Sequence, residues 1–276
     1  MTAESEPLPL TWLYAPGDRP SVVAKALRAG ADVVIVDLED SVARERKEYA
    51  RAATAELLSE PPPLPVHVRV NALDTPQGDA DLRSLLPLPG LSALRLPKVT
   101  SPAQITRTAQ RAAGLPLYAL LESALGIERA YAIAAADPSL RGIALGETDL
   151  RADLGVREEA GLDWSRARVV LAARAAGLAP PAQSVYPDVR DLAGLAVSCA
   201  HGRSLGFIGR AAIHPDQLPV IEHAYLPSLE EIASAEEIIK AAATEPGAQA
   251  LPNGRLIDTA VVAAAHRTLA LARRRT

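Results

Sequence analysis

Residues 32–38 read DVVIVDL, and Glu39 and Asp40 follow directly. Val33, Val34, Ile35 and Val36 form an unbroken β-branched run with neither helical spacing nor apolar–polar alternation. Such a run fits a strand covered on both faces, as in a parallel sheet. Working outward, seven further apolar runs recur: TWLY (11–14), VHVRV (66–70), ALRLP (93–97), LYALL (117–121), GIAL (142–145), AQSVY (182–186) and LGFI (205–208). Helical patterns separate them at 20–28, 44–58, 102–113, 125–136, 163–177 and 190–201, with a weaker connection at 79–87. Ser101-Pro102-Ala103-Gln104 has capping-box spacing with proline in the first turn, and Ser228 with Glu231 repeats the spacing. Strands followed by crossovers, eight times over, predict an α/β fold of the (β/α)8 TIM-barrel type. No G-x-G-x-x-G follows the first strand, which disfavours a dinucleotide-binding sheet. The barrel is expected over residues 1–225. A C-terminal helical extension or lid follows over 226–276, with helices at 229–243 and 258–272 around a linker at 245–253.

The composition narrows the function. The chain has 276 residues, 49% hydrophobic and 22% charged, enough to bury a large core. A net charge of −4 lacks the electrostatic footprint of a nucleic-acid binder, and Arg273–Arg275 reads as a solvated helix end. The single cysteine, Cys199, excludes an intramolecular disulfide and a cysteine-based zinc cluster, and it suits a reducing compartment. The N-terminus, MTAESEPLPL, lacks the apolar core of a signal peptide, and no apolar run reaches the ~18 residues of a membrane span. A cytoplasmic protein without membrane or nucleic-acid partners is expected. Aromatics are only 3%, so branched and small aliphatic residues must fill the core.

Barrel chemistry sits at the C-terminal strand ends. There the sequence places Asp18 and Arg19, then Asp37, Glu39 and Asp40, then Arg69 and Asn71, Lys98, Glu122, and Gly146-Glu147-Thr148-Asp149. Strand interiors carry almost no charge by comparison. Glu122 and Asp149 on neighbouring strands suit oxygen ligation of Mg²⁺, which takes one or two carboxylates and leaves room for water and substrate. Taken singly, each equally suits the N-terminal end of a helix dipole. Arg69 inside VHVRV needs a partner if buried. A salt bridge to Asp37 or Glu39 and a bidentate clamp on a substrate carboxylate are equal readings of it. Lys98 reads either as a rim charge or as an anion contact. Cys199 reads as core.

Together YAPGDRP (14–20), ADVVIVDLEDSVA (31–43), VRVN (68–71), LPK (96–98), LLESALG (120–126), GETDL (146–150), IHPDQL (213–218) and GRLIDTA (254–260) resemble the HpcH/HpaI aldolase and citrate lyase β-subunit family. Within it the likeness is to the stand-alone citrate-lyase-β-like and malyl- or citramalyl-CoA lyase proteins. The motifs keep family order from about residue 10 to 272. The resemblance implies a TIM barrel with a C-terminal extension, assembled as a homotrimer or hexamer. It implies Mg²⁺ on Glu122 and Asp149, and a 2-oxo acid such as oxaloacetate met by Arg69 and by backbone amides around Gly146 and Glu147. Arg19 and Lys98 are counted as further substrate contacts, and Asp37 and Glu39 as supports. Asp258 of the IDTA motif becomes the general acid/base, reaching a neighbouring subunit. Thr148 stands where many relatives have an acid, and Thr259-Ala260 replaces a Pro often found after Asp258.

The expected activity is Mg²⁺-dependent Claisen-type cleavage or formation of a 3-hydroxyacyl-CoA, to or from an acyl-CoA and a 2-oxo acid. Three alternatives stand beside it: a CoA-independent 2-oxo-acid aldolase, an acyl-CoA thioesterase, and a non-catalytic subunit of a larger lyase complex. The aldolase branch commonly uses a barrel histidine as base, and none follows strands 1–3.

Overall fold

The apolar runs become strands wherever backbone donors are free. The computed structural model describes residues 8–244, 249–250, 254 and 256–275. Leu10–Glu222 forms one compact unit, and the chain from His223 onward belongs to another. In chain order the elements are β1 (Thr11–Pro16), α1 (Pro20–Ala26), β2 (Val33–Asp37), α2 (Lys47–Leu57), β3 (Val66–Arg69), α3 (Pro76–Leu85) and β4 (Ala93–Leu96). Then come α4 (Pro102–Ala112), β5 (Leu117–Leu121), α5 (Ala124–Glu128), α6 (Ala130–Ala134), β6 (Leu140–Leu145) and α7 (Glu147–Leu154). The series continues with α8 (Asp163–Ala175), α9 (Leu192–Ser204), β7 (Arg210–Ala212) and α10 (Gln217–Tyr225).

β1–β7 make one parallel sheet in the order β6-β5-β4-β3-β2-β1-β7. β2 and β4 are buried along their whole length, as the two-sided apolar pattern requires. Alternation assigns the faces: Trp12, Tyr14, Asp37, Arg69, Arg95, Leu120, Glu122 and Ala144 line a common cavity. Their neighbours Val34, Val36, Val68, Leu94 and Leu96 are fully buried away from solvent. One register row runs Asp37–Arg69–Arg95–Tyr118 across β2 to β5.

The last two expected strands differ. Residues 182–186 join the sheet only through a parallel bridge from Gln183 to Arg210. Pro180, Pro181 and Pro187 flank the segment and offer no amide donors. LGFI (205–208) is no strand, because Gly206 and Gly209 take left-handed φ values of 96° and 69°. The strand instead starts at Arg210. Among the described residues the ladder therefore runs from β6 to β7 as a curled parallel sheet, not as a closed ring of eight paired strands.

Helices also depart from the pattern. The weak connection at 79–87 is the three-turn α3, anchored by Thr75, whose Oγ1 accepts from the Gly78 amide at 3.1 Å. The pattern at 125–136 breaks at Arg129 into α5 and α6. GETDL, which follows β6, opens α7, with Glu147 and Asp149 in its first turn.

In the second unit, α11 (Leu229–Thr244) and α12 (Thr259–Ala272) match the helices expected there. Ala235, Ile238, Ile257 and Ala265 form its core. Two residues of the expected linker, Gln249–Ala250, pair antiparallel with Leu256–Ile257; the rest of 245–253 lies outside the described residues. No described helix is long and apolar enough to cross a membrane.

Candidate active site

The cavity at the strand ends has a volume of 380 Å³ and is lined from every strand of the sheet. β2 and β3 supply a buried ion pair in its wall. Asp37 receives Arg69 Nε at 2.7 Å and Nη2 at 2.8 Å, a bidentate fork between register neighbours. Burial works against the Asp37 charge, but the Arg69 hydrogen bonds hold its carboxyl below the usual carboxylate range. Asp37 also accepts from the Glu39 and Ser41 amides, so the turn after β2 is tied to the same carboxylate. The remaining Arg69 nitrogen, Nη1, lies 3.2 Å from Glu39 and 3.7 Å from Asp40. The salt-bridge reading of Arg69 is thus realised, with the fork committed to Asp37 and Nη1 left beside the rim acids.

Lys98 joins the rim from the other side. It follows β4 with φ of +54°, a left-handed conformation that side chains seldom adopt. In that turn its amide donates to Glu122 Oε2 at 2.9 Å, while its Nζ reaches Glu39 at 2.6 Å. Asp40 and Asp149 stand 3.5 Å and 3.7 Å from the same ammonium. One residue therefore contacts Glu39 and Asp40 after β2, Glu122 after β5 and Asp149 in α7.

Glu122 is the perturbed group. It is 5% exposed at the end of β5. Burial, the charge on Glu39 and the charge on Asp149 push its carboxyl up to about 7, against the Lys98 amide and Arg69. Glu39 is raised as well, by burial, despite its contacts with Arg69 and Lys98. Two acids held against their own ionisation are groups whose charge a nearby cation would stabilise. Among the described residues no three His, Cys, Asp or Glu side chains form a ready metal cluster. Two carboxylates completed by water and ligand remain compatible with Mg²⁺. Gly146 keeps the space open, since a Cβ there would collide with the Glu122 carboxylate.

The expected amide contacts are partly engaged. Gly146 N donates to Leu121 O at 3.2 Å, and Glu147 N to Ser184 Oγ at 3.3 Å. The amides of Thr148 and Asp149, in the first turn of α7, have no partner within the helix. The Glu147 carboxylate is turned to Arg166, at 2.9 and 2.7 Å. Arg19 is not brought in: it flanks α1, 67% exposed and 4.0 Å from Asp18, off the cavity lining. Asp258 belongs to the second unit, where its Oδ1 caps α12 by accepting from Val261 N at 2.9 Å.

Residues that the sequence reading passed over include Ser184, Arg166 and Arg95. Arg95 carried the same signal as Arg69, an arginine inside an apolar strand. The other two declare themselves only through partners 37 and 19 residues away. For Arg69 the geometry sets an expected result. Arg69→Lys keeps the charge but loses the fork, so kcat/KM should fall by about 10²-fold or more through misorientation. Steady-state kinetics near the unmutated values would make Arg69 purely a salt-bridge residue.

The sequence profile of the HpcH/HpaI aldolase/citrate lyase family matches residues 10–215. A (3S)-malyl-CoA thioesterase of Cereibacter sphaeroides is 35% identical over 269 residues, covering 94% of this chain and 93% of that protein. The crystal structure of the Mycobacterium tuberculosis protein CitE in complex with magnesium, acetoacetate and coenzyme A aligns with a TM-score of 0.83 and 36% identity, over 97% of this chain and 99% of that one. A citrate lyase beta subunit from M. tuberculosis complexed with oxaloacetate and magnesium gives 0.71 and 35%, over 82% of this chain and 100% of that one. The motifs along the chain, the curled parallel sheet and these likenesses agree, and the chain belongs to the HpcH/HpaI aldolase/citrate lyase family.

Proposed function

We propose that this protein is a Mg²⁺-dependent carbon–carbon lyase of the Claisen type, interconverting a 3-hydroxyacyl-CoA with an acyl-CoA and a 2-oxo acid. The observation that carries the reading is Glu122, a buried carboxyl raised to about 7 by burial and by the neighbouring acids Glu39 and Asp149. Glu122 and Asp149 would hold the ion. When bound, Mg²⁺ supplies a Lewis acid for the carbonyl end of the 2-oxo acid. The magnesium complexes of the two M. tuberculosis structures, with oxaloacetate in one and coenzyme A in the other, support this assignment.

Arg69, fixed by Asp37, orients the 2-oxo acid carboxylate through Nη1, with the first-turn amides of α7 opposite. Lys98 tempers the negative charge of the rim. In the cleavage direction Asp258 takes the 3-hydroxyl proton. The bond between C2 and C3 breaks, its electron pair passes into the acyl-CoA enolate, and the proton returns to the enolate carbon. The assembly would be a cytoplasmic homotrimer or hexamer in which Asp258 serves a neighbouring subunit. The barrel would be a full (β/α)8 ring over residues 1–225, residues 182–186 occupying the eighth place, with 226–276 as the lid. The Gln183–Arg210 bridge and the contribution of Ala182–Val185 to the cavity wall support that closure.

Thioester hydrolysis is the second reading, favoured by the relative named (3S)-malyl-CoA thioesterase. One assay separates the two. Malyl-, citramalyl- and citryl-CoA are supplied with Mg²⁺, and 2-oxo acid and free CoA thiol are followed separately. Lyase activity releases 2-oxo acid without thiol, and a chelator stops it. Thiol release with intact hydroxy acid assigns hydrolysis, and neither product from any ester overturns both readings.

A further inference from the structure

Arg95 is the second arginine set inside an apolar strand, and unlike Arg69 it has no acid beside it. It lies in β4 level with Arg69 and Tyr118, and is 4% exposed. Among the described residues its guanidinium makes no ion pair, and its Nε has no hydrogen-bond partner. Its neighbours are ring faces: Trp12 at 5.9 Å and Tyr118 at 5.1 Å. Burial and the like charge of Arg69 both oppose its ionisation. Ring faces offset only part of the desolvation of a buried cation. The group lacks an anion.

The space for one is at hand. Arg95 lines the cavity together with Trp12, Tyr14, Ala144, Ala182 and Ala211, and three alanines leave room in that wall. Glu122 lies four residues beyond Tyr118, the register partner of Arg95, which is about 13 Å of strand rise. The length of an arginine and a short ligand together span that interval. A ligand held at the rim by its oxo-acid end therefore presents its far end to Arg95. A carboxylate there completes the guanidinium, whereas a methyl group leaves it unpaired.

We infer that Arg95 is a specificity-determining anion subsite inside the sheet, and that the 2-oxo acid taken here is a short dicarboxylic one whose distal carboxylate binds this guanidinium. The near end of that ligand rests on the function proposed above; the far end rests on the unpaired buried arginine alone.

Calorimetric binding tests the inference with two acids that differ only at the distal end, oxaloacetate and 2-oxobutanoate, in the presence of Mg²⁺. The unmutated protein should favour oxaloacetate by about 10- to 100-fold, the worth of a charged hydrogen-bonded pair. Arg95→Met should bring the two within about threefold by weakening oxaloacetate. Removing an unpaired buried charge should also raise the Tm of the ligand-free protein by roughly 2–8 °C. A preference that survives in Arg95→Met, no preference in the unmutated protein, or a lowered Tm in the variant overturns the inference. A metal-free comparison of succinate with butanoate isolates the subsite. If Mg²⁺ affects neither 2-oxo acid, the metal reading fails, while a succinate preference lost in Arg95→Met still upholds Arg95.

Discussion

Glu122→Gln is expected to cut Mg²⁺-dependent turnover by ~10³-fold or more, the several kcal/mol that a Lewis acid contributes. The same substitution should leave the metal-free protein at least as stable. Gln retains an oxygen to accept the Lys98 amide, so the turn after β4 is kept. It removes a carboxylate that the fold holds at about 7 against an ordinary 4.5. The sign follows from linkage: a raised folded-state pKa means the folded protein binds the extra proton between those values. Folding is therefore unaffected by this group below pH 4.5, loses stability as pH rises to 7, and bears the full cost above that. Thermal unfolding with a chelator should show the Gln variant gaining on the unmutated protein at pH 8 but not at pH 4. Adding Mg²⁺ should then raise the Tm of the unmutated protein alone. A variant that unfolds early at pH 8, or still gains stability from Mg²⁺, would make Glu122 a structural acid.

The other large effect belongs to Asp258. Asp258→Asn keeps the oxygen that caps α12 at Val261 N, so Tm should stay nearly unchanged. It removes a proton-transfer group, so kcat should fall by ~10²–10⁴. Capping alone predicts the first result without the second. If the acid serves a neighbouring subunit, mixing Asp258→Asn with Glu122→Gln chains restores activity, because mixed oligomers assemble some sites with both groups intact. Inactivity after verified subunit exchange rules the shared site out.

Parts of this arrangement were legible before folding because they are local. DVVIVDL announced a strand buried on both faces, and the acids after it marked a rim. The spacing of Ser101 and Gln104 announced a capping box, and both halves of it form. Where the reading slipped, backbone chemistry outweighed hydrophobicity. LGFI is apolar enough for a strand, yet two left-handed glycines move the pairing on to Arg210. AQSVY has the side chains of a strand between prolines that cannot donate. At the site, residue types were readable but their partners were not. Lys98 meets Glu39 across 59 positions and Glu122 across 24. No periodicity encodes such distances, and only the stacking of β2, β4 and β5 brings them together. Arg95 shows the converse case, a visible charge whose meaning depends on the acid that folding fails to supply.

The left-handed turn at Lys98 also bears on how this protein would respond to laboratory selection. Glycine is the residue that such a backbone favours, and Lys98→Gly would relieve about 1 kcal/mol of conformational cost. It would preserve the amide on Glu122 and erase the ammonium that stands among Glu39, Asp40 and Asp149. A screen for heat resistance therefore meets two opposed pulls here, the backbone gain against the loss of the 2.6 Å pair with buried Glu39. At a pH low enough to protonate the rim acids the backbone gain prevails, and survivors lose the ammonium that a working rim uses. Any campaign to harden this scaffold has to score turnover in the same round.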